Sequence, residues 1–373
     1  MEDIMSHVEK ILDFQAQLKT QEDAFPMLRI LDETGKVVDT DGERLVNLSD
    51  KELVELMERM VFSRTLNDRS TKLAKQGRLG FFAPTIGQEA SQTATSYAFE
   101  SEDYLLPGYR DMPQMILKGL PIEKAFLWSR GHQVGNEMDD LQTWMPQIII
   151  GAQHVQAAGV ALGLKKRGKA NVAYCYTGDG GSSQGDFYEG LNFAGAYQAP
   201  AIFFIQNNGY AISTPRKLQT AAPHLAAKGW AAGVPSIVID GMDPLACYLA
   251  SQQARDWAVS GRGPVLIEAL VERFGSHSMS GDDPLRYRTK EEIDTAWTFD
   301  PLVRYRCYLE NKGLWDETKE TAYIETVNAK IDDAVKMADN VPKQKISDFI
   351  ASTLEVSGFA QLEQIEKFKK AGK

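Results

Sequence analysis

Two turns combine glycine with carboxylate or carboxamide side chains, a mixture that suits a diphosphate group and a divalent cation. Gly-Asp-Gly-Gly at 178–181 and Asn-Asn-Gly-Tyr at 207–210 each follow a continuous apolar run. Glycines let a backbone approach a phosphate, and a helix N-terminus offers free N–H groups and a favourable dipole. The carboxylate of Asp179 would repel a phosphate unless a hard cation lay between them, and the carboxamide of Asn208 supplies a second oxygen ligand. We therefore predict one Mg²⁺-diphosphate site that uses both turns.

Each turn alone is more often structural than functional, because the sequences Gly-Asp-Gly and Asn-Asn-Gly are both common in turns. The pair is more specific, since each turn follows a predicted buried strand and one crossover helix joins the two. A nicotinamide site is the weaker alternative, because residues 178–183 end in serine and lack the Gly-x-Gly-x-x-Gly pattern.

The apolar runs before these turns belong to a longer alternation of strands and helices. Predicted strands occupy 171–176, 201–206, 237–239 and 264–271, and predicted helices occupy 155–165, 183–197 and 244–259. Such alternation indicates an α/β fold whose parallel sheet is covered by helices on both faces. Ligands of such a sheet bind beyond the carboxyl ends of its strands, where both turns lie.

The flanking segments are predicted to be mostly helical. Ser49 and Glu52 have the spacing of a capping box, which predicts a helix that runs to about residue 77. A loop at 78–87, a helix at 88–99 and a long loop at 129–146 should follow. We expect an N-terminal arm at 1–45, an α/β domain at 46–310 and a C-terminal helical region at 311–373.

Composition excludes several classes of protein. The 373 residues are 43% hydrophobic and 25% charged, as in ordinary globular proteins, and their formal charge of −10 argues against a general nucleic-acid binder. No apolar run approaches the ~20 residues that span a bilayer, and residues 1–13 lack the apolar centre of a signal peptide. The three cysteines lie far apart, which favours a reducing cytoplasm over a zinc or disulfide framework.

Short motifs along roughly residues 45–345 resemble a single family. They are Gly-Gln-Glu-Ala at 87–90, Pro-Gly-Tyr-Arg-Asp at 107–111, Ile-Gly-Ala-Gln at 150–153, Ala-Ile-Ser-Thr-Pro at 211–215, Asp-Gly-Met-Asp at 240–243 and His-Ser-Met-Ser at 277–280. With the two turns, they resemble the alpha subunits of the thiamine-diphosphate-dependent first component of 2-oxo acid dehydrogenase complexes. The bacterial members that act on pyruvate are the most similar; branched-chain 2-oxo acid or acetoin dehydrogenases, and a non-catalytic scaffold of the same fold, are the alternatives.

The resemblance implies roles for individual residues. The Mg²⁺ ligands would be Asp179, Asn208 and the carbonyl of Tyr210; the diphosphate would lie against Tyr109, Arg110, Gly180 and Gly181; and the rest of the cofactor would contact Ile148, Ile150 and Ile212, the last as an apolar wedge. These three isoleucines would otherwise be assigned to the core.

His277 is the candidate catalytic residue. It follows the last predicted strand and leaves the same sheet edge as Asp179, so it could bond a diphosphate oxygen or stabilise an alkoxide derived from the substrate. For Arg286 and Arg288, in the same loop, two alternatives stay open: contact with the diphosphate or a partner chain, and plain surface charge. Val134 departs from the family, because close relatives often carry a second histidine there; whether His132 compensates is open.

The resemblance also implies cofactors and partners. Thiamine diphosphate and Mg²⁺ would bind at an interface with a beta subunit in an α₂β₂ assembly, and the acyl group from a 2-oxo acid would pass to a lipoyl-bearing second component. The single predicted sheet accounts only for the diphosphate end of the cofactor, which agrees with a second chain. No nucleic-acid or membrane partner is expected.

Overall fold

A six-stranded parallel sheet forms the centre of the protein. The computed structural model describes residues 16, 19–20, 23–138 and 140–372. The strands are β1 (Met27–Leu28), β2 (Tyr104–Leu106), β3 (Ala173–Gly178), β4 (Ala201–Asn207), β5 (Tyr210–Ala211), β6 (Thr214–Pro215), β7 (Ser236–Asp240) and β8 (Val265–Leu270). The sheet order is β1-β7-β8-β4-β3-β2, all parallel, and β5 and β6 form a separate antiparallel hairpin. The predicted α/β fold with a parallel sheet is confirmed.

Helices surround the sheet. They are α1 (Thr40–Val46), α2 (Asp50–Lys75), α3 (Thr95–Tyr97), α4 (Met112–Leu117), α5 (Ile122–Ser129), α6 (Ala152–Lys166), α7 (Gly185–Tyr197), α8 (Pro244–Trp257), α9 (Lys290–Ala296), α10 (Pro301–Asn311), α11 (Glu317–Asn340), α12 (Ile346–Ala351) and α13 (Phe359–Lys370). The predicted capping box starts α2, with both the Ser49 and the Glu52 side chains bonded to backbone N–H groups. None of the helices in the described part of the chain has the length and apolar character of a membrane span.

Both faces of the sheet are buried, which explains the continuous apolar runs. Tyr174, Tyr176 and Phe204 point into the core on one face, whereas Cys175 and Phe203 point into a second core on the other. Successive side chains of a strand point to opposite faces of the sheet. A strand that is covered on both faces therefore buries all of its side chains, and its sequence is continuously apolar.

The edges of the sheet depart from prediction. The sequence predicts four strands, and the short outer strands β1 and β2 add to them. Strands of two or three residues carry no readable periodicity. The segment that follows β1 is held by a distant group, because the backbone N–H groups of Ile30 and Leu31 donate to Asp243 Oδ2 at 2.6 and 2.7 Å.

The helix predicted at 88–99 is irregular. A π-helical turn, Ala90–Ala94, precedes the short α3. Ser91 and Thr93 hydroxyls donate to the carbonyls of Gln88 and Glu89 at 3.1 and 2.8 Å, and such side-chain bonds to the preceding turn bend helices.

The domain boundaries at 45 and 310 stay predictions. Part of the predicted arm contributes β1 and α1, which pack on the α/β domain. The prediction that residues 1–13 are not a signal peptide lies outside the described residues.

Candidate functional site

A cavity of about 360 Å³ opens at the carboxyl edge of the sheet. All the site residues that the sequence predicts lie on its wall: Tyr109, Arg110, Ile148, Ile150, Asp179, Gly180, Gly181, Asn208, Tyr210, Ile212 and His277. The structure therefore brings together residues from five separate segments of the chain, as the position of ligand sites in parallel sheets requires.

Asp179 begins the turn that follows β3. In the sheet, Gly178 pairs with Gln206, so the turn after β3 lies beside the turn after β4. The Asp179 side chain is 1% exposed and, within the part of the chain that the structure describes, accepts one side-chain hydrogen bond, from Gln219 Nε2 at 2.6 Å. Burial raises its pKa, and the Gln219 bond and the charge of Arg273 oppose that rise. A buried carboxylate with so few partners is suited to bind a cation.

The two asparagines of the turn after β4 have different roles: one holds the turn and the other faces the cavity. Asn207 Nδ2 donates to the buried Glu268 Oε1 at 2.7 Å, and Asn207 Oδ1 accepts from the Gly209 N–H at 3.0 Å. Asn208 is half-buried, and among the described residues its Oδ1 accepts one bond, from the Tyr210 N–H at 3.3 Å. Asn207 therefore fixes the turn, and Asn208 is left to face the cavity.

The oxygen ligands available to a metal here are one carboxylate, from Asp179, and the neutral oxygens of Asn208 and of the Tyr210 carbonyl. Within the described ranges no group of three or more histidines, cysteines and carboxylates could hold a metal ion. A hard cation such as Mg²⁺ does not need such a group, because it accepts carbonyl and water oxygens and often uses one or two carboxylates together with substrate phosphates.

Gly180 and Gly181 have no room for side chains. A Cβ on Gly180 would lie 2.7 Å from Ala211 Cβ, and a Cβ on Gly181 would lie 1.9 Å from Thr177 Oγ1. Their bare backbone faces the cavity, as a phosphate-binding turn requires.

Ile212 projects from the β5–β6 hairpin in a strained conformation. Its φ is 57°, in the left-handed region that β-branched residues rarely occupy, and its side chain is 54% exposed. Such strain costs about 1–3 kcal/mol and persists only where surrounding contacts impose it. One such contact is a 3.1 Å hydrogen bond from Arg273 Nη2 to the Ile212 carbonyl. The strained conformation fits the predicted wedge.

His277 lies between two arginines. Its Nδ1 is 3.3 Å from Arg110 Nη2 and 3.4 Å from Arg273 Nη1. Guanidinium groups only donate, so Nδ1 accepts and the proton of the neutral ring resides on Nε2. Burial, and then the charges of Arg110 and Arg273, lower the pKa of His277 to about 4. His277 is thus a neutral imidazole whose free edge is a hydrogen-bond donor.

Arg273 is a site residue that sequence reasoning missed. It is buried, lines the cavity and donates to the Tyr287 hydroxyl at 2.7 Å, while its Nε has no partner among the described residues. Burial lowers its pKa. A signal was present, because Arg273 lies two residues after the last predicted strand, much as Asp179 and Asn208 lie just after theirs.

Asp111 fixes the turn that carries Tyr109 and Arg110. It accepts from the Gly108 N–H and from Gln206 Nε2, both at 2.7 Å. Burial raises the pKa of Asp111 to about 6, against these hydrogen bonds. Arg110 is further held by a 2.6 Å bond to the Pro84 carbonyl. No sequence motif separates this positioning role from an ordinary turn aspartate.

Lys228 supports the Asp179 turn from behind. Its Nζ donates to the Ser182 carbonyl at 2.6 Å and to Ser182 Oγ at 2.9 Å, and Ser182 Oγ donates to the Asp179 carbonyl at 2.7 Å. Burial lowers the pKa of Lys228 to about 8. Its position in an irregular helical turn, Leu225–Ala232, offers no pattern from which this role could be predicted.

The remaining candidates lie off the cavity. His132 Nε2 bonds the Pro342 carbonyl at 3.1 Å, and its Nδ1 accepts from the Val134 N–H, so it joins the C-terminal helical region to the core. Val134 packs in a helical apolar cluster. Arg288 is buried and donates to the Arg273 carbonyl at 2.7 Å, whereas Arg286 is exposed. His132 therefore does not take the place of a second histidine in the cavity.

The sequence is similar to a known protein family and to named bacterial proteins. The sequence profile of the family described as "Dehydrogenase E1 component" matches residues 57–347. A relative from Staphylococcus aureus strain Mu50, named pyruvate dehydrogenase E1 component subunit alpha, is 58% identical over 354 residues, or 94% of this chain and 95% of the relative. A relative of the same name from Staphylococcus epidermidis strain RP62A is 57% identical over 354 residues, with the same coverage of both chains. The chain therefore belongs to the dehydrogenase E1 component family, whose members are enzyme components.

Proposed function

We propose that this chain is the alpha subunit of a pyruvate dehydrogenase that depends on thiamine diphosphate and Mg²⁺. The complete enzyme decarboxylates pyruvate and transfers the acetyl group to a lipoyl group on the second component of the complex. The observation that carries the proposal is the single cavity that joins Asp179, Asn208, Arg110 and His277 in a chain so similar to pyruvate dehydrogenase alpha subunits. The pyruvate preference rests on the names of those relatives.

The residues present fit the proposed cofactor. Asp179, Asn208 Oδ1 and the Tyr210 carbonyl would hold Mg²⁺; Gly180, Gly181, Tyr109, Arg110 and Arg273 would hold the diphosphate; and Ile148, Ile150 and Ile212 would contact the rings. Two features support this fit. Asp179 is buried and accepts few hydrogen bonds, and Gly180 and Gly181 have no room for a Cβ atom. When bound, thiamine diphosphate supplies the electron sink for loss of carbon dioxide from a 2-oxo acid.

His277 acts as a hydrogen-bond donor in this proposal. With Nδ1 occupied by two guanidinium groups, its Nε2–H can stabilise negative charge that develops on an oxygen within the cavity. Its low pKa keeps the ring neutral at pH 7, so it does not carry a formal charge into the site.

A beta subunit completes the site. The described residues of the cavity wall include two carboxylates, Asp179 and Asp111. Asp179 would bind the proposed metal, and Asp111 accepts hydrogen bonds that hold its own turn. Catalysis with thiamine diphosphate also needs a carboxylate at the aminopyrimidine end of the cofactor, and we propose that the beta subunit supplies it. Ile148 and Ile149, beside the cavity, are 57% and 69% exposed, which suits a rim that a partner covers. We propose an α₂β₂ assembly.

Reconstitution tests the proposal. The chain is co-expressed with a candidate beta chain from the same organism. Decarboxylation of pyruvate and branched-chain 2-oxo acids, and oxidative cleavage of acetoin, are followed with an artificial electron acceptor. We expect turnover with pyruvate by the pair and none by the isolated chain. Preference for a branched-chain acid or acetoin would reassign the substrate. An inactive pair that retains its fold would favour the scaffold alternative, and full turnover by the isolated chain would contradict the need for a beta subunit.

A further inference from the structure

Gln88 has a buried carboxamide nitrogen that no residue binds. The residue is 1% exposed, and among the described residues none makes a hydrogen bond with its Nε2. A buried donor without a partner is unfavourable by about 1–3 kcal/mol, so such groups are rare unless a ligand or water completes them. Gln88 also lies on the wall of the candidate site cavity.

The backbone of Gln88 is firmly held. Its N–H donates to the Thr85 carbonyl at 3.0 Å, and its carbonyl accepts from the Gln92 N–H at 3.0 Å and from Ser91 Oγ at 3.1 Å. The π-helical turn begins two residues later, at Ala90, and such turns occur frequently at functional sites. The backbone that carries the unpartnered carboxamide nitrogen is therefore fixed beside the cavity.

Two other glutamines on the same wall show the contrast. Gln153 Nε2 donates to the Tyr176 carbonyl at 2.8 Å, and Gln206 Nε2 donates to Asp111 at 2.7 Å. Both side chains serve the protein's own structure, whereas the Gln88 donor serves none of the described residues.

Charge indicates what Gln88 binds. The cavity wall carries the guanidinium groups of Arg110 and Arg273, which favour a ligand with anionic oxygens. We propose that Gln88 Nε2 donates a hydrogen bond to an anionic oxygen of the bound ligands. That oxygen belongs to the cofactor diphosphate or to the carboxylate of the 2-oxo acid; its identity rests on the proposed function.

Two substitutions in the assembled alpha–beta enzyme test this. Gln88→Met keeps the length of the side chain and removes the donor, and Gln88→Glu keeps the shape and places a negative charge against the oxyanion. Gln114→Met is the matched control, because Gln114 is also 1% exposed but lies outside this cavity. The readouts are the dissociation constant of thiamine diphosphate with Mg²⁺ by calorimetry, KM and kcat for pyruvate, and the thermal midpoint.

We expect either the dissociation constant of thiamine diphosphate or the KM for pyruvate to rise by about tenfold to a hundredfold in Gln88→Met, and by more in Gln88→Glu. Neither value should change in the control. A weaker cofactor constant identifies the diphosphate; a raised KM with an unchanged cofactor constant identifies the substrate carboxylate. Unchanged constants in both Gln88 variants would overturn the proposal, whether or not the thermal midpoint moves. If Gln88→Met does not fold, Gln88→Glu decides by the same criteria.

An inactive wild-type pair would count against the proposed function instead, and cofactor calorimetry on that pair would still test Gln88 toward the diphosphate.

Discussion

The ionisation of His277 offers a direct physical test of the site. Its pKa of about 4 means that about 1% of the ring is protonated at pH 6, against about three-quarters for an ordinary histidine with a pKa of 6.5. The causes are burial, then the charges of Arg110 and Arg273. Because the folded chain holds the proton less tightly than the unfolded chain, acid should destabilise the fold as pH falls from 6.5 towards 4.

Removing one arginine should raise this pKa. In Arg110→Met, the pKa of His277 should move upward towards 6.5 without reaching it, since burial and Arg273 remain. Histidine-labelled chain without ligands is titrated by nitrogen NMR, which reports both the pKa and the tautomer. Below pH 7 but above the pKa, the wild-type signal should be that of the Nε2–H form.

His154 is an internal control in the same spectra. Burial lowers its pKa to about 4, against the Gly151 hydrogen bond and the charge of Asp186, which raise it, and no arginine contributes. Arg110→Met should therefore leave His154 unchanged. A wild-type His277 pKa at or above 6, or an equal shift of both histidines in the variant, would refute the electrostatic account of this site.

Three further predictions concern the turns. Asp179→Ala or Asn208→Ala should abolish Mg²⁺-dependent binding of thiamine diphosphate in calorimetry while the thermal midpoint persists; normal affinity in both would remove them as metal ligands. Gly181→Ala should lower the free energy of unfolding by about 1–3 kcal/mol in urea titrations, because its Cβ would lie 1.9 Å from a threonine oxygen. The control Gly163→Ala, with no atom within 4 Å, should instead raise it by up to about 1 kcal/mol; equal effects would contradict the steric reading. Lys228→Met should weaken cofactor affinity about tenfold, with partial recovery in Lys228→Arg, and an unaltered affinity would show that Lys228 serves folding alone.

The parts of the site visible in the sequence are those that depend on local signals. A continuous apolar run followed by glycine and a polar residue specifies both a buried strand and a turn at its end, so Asp179 and Asn208 could be placed without coordinates. The position of His277 after the last strand follows from the same logic. The isoleucines, in contrast, were placed only through the resemblance to a known family, because an apolar residue in a loop has no signal that separates a ligand contact from the core.

The supporting residues could not be predicted, since their roles arise from contacts across the chain. Gln219 reaches Asp179 from the segment after the hairpin, and Asp243 holds the segment that follows the edge strand β1, more than two hundred residues away. The left-handed φ of Ile212 is set by surrounding contacts such as Arg273, against the preference of the residue itself. No periodicity or spacing carries such information.

Each turn that carries proposed ligand-binding residues is held by hydrogen bonds from a buried polar side chain. Asp111 bonds the turn before Arg110, Glu268 bonds Asn207 at 2.7 Å, and Lys228 bonds Ser182 beneath Asp179. Burial disfavours the charged forms of Asp111 and Lys228, whose pKa values move to about 6 and about 8. Apolar side chains of similar size often stabilise a fold at least as well as buried charges. The arrangement is therefore better explained by the need to keep three turns in register around one cavity than by stability, which is why the Lys228 variants should change ligand affinity more than the thermal midpoint.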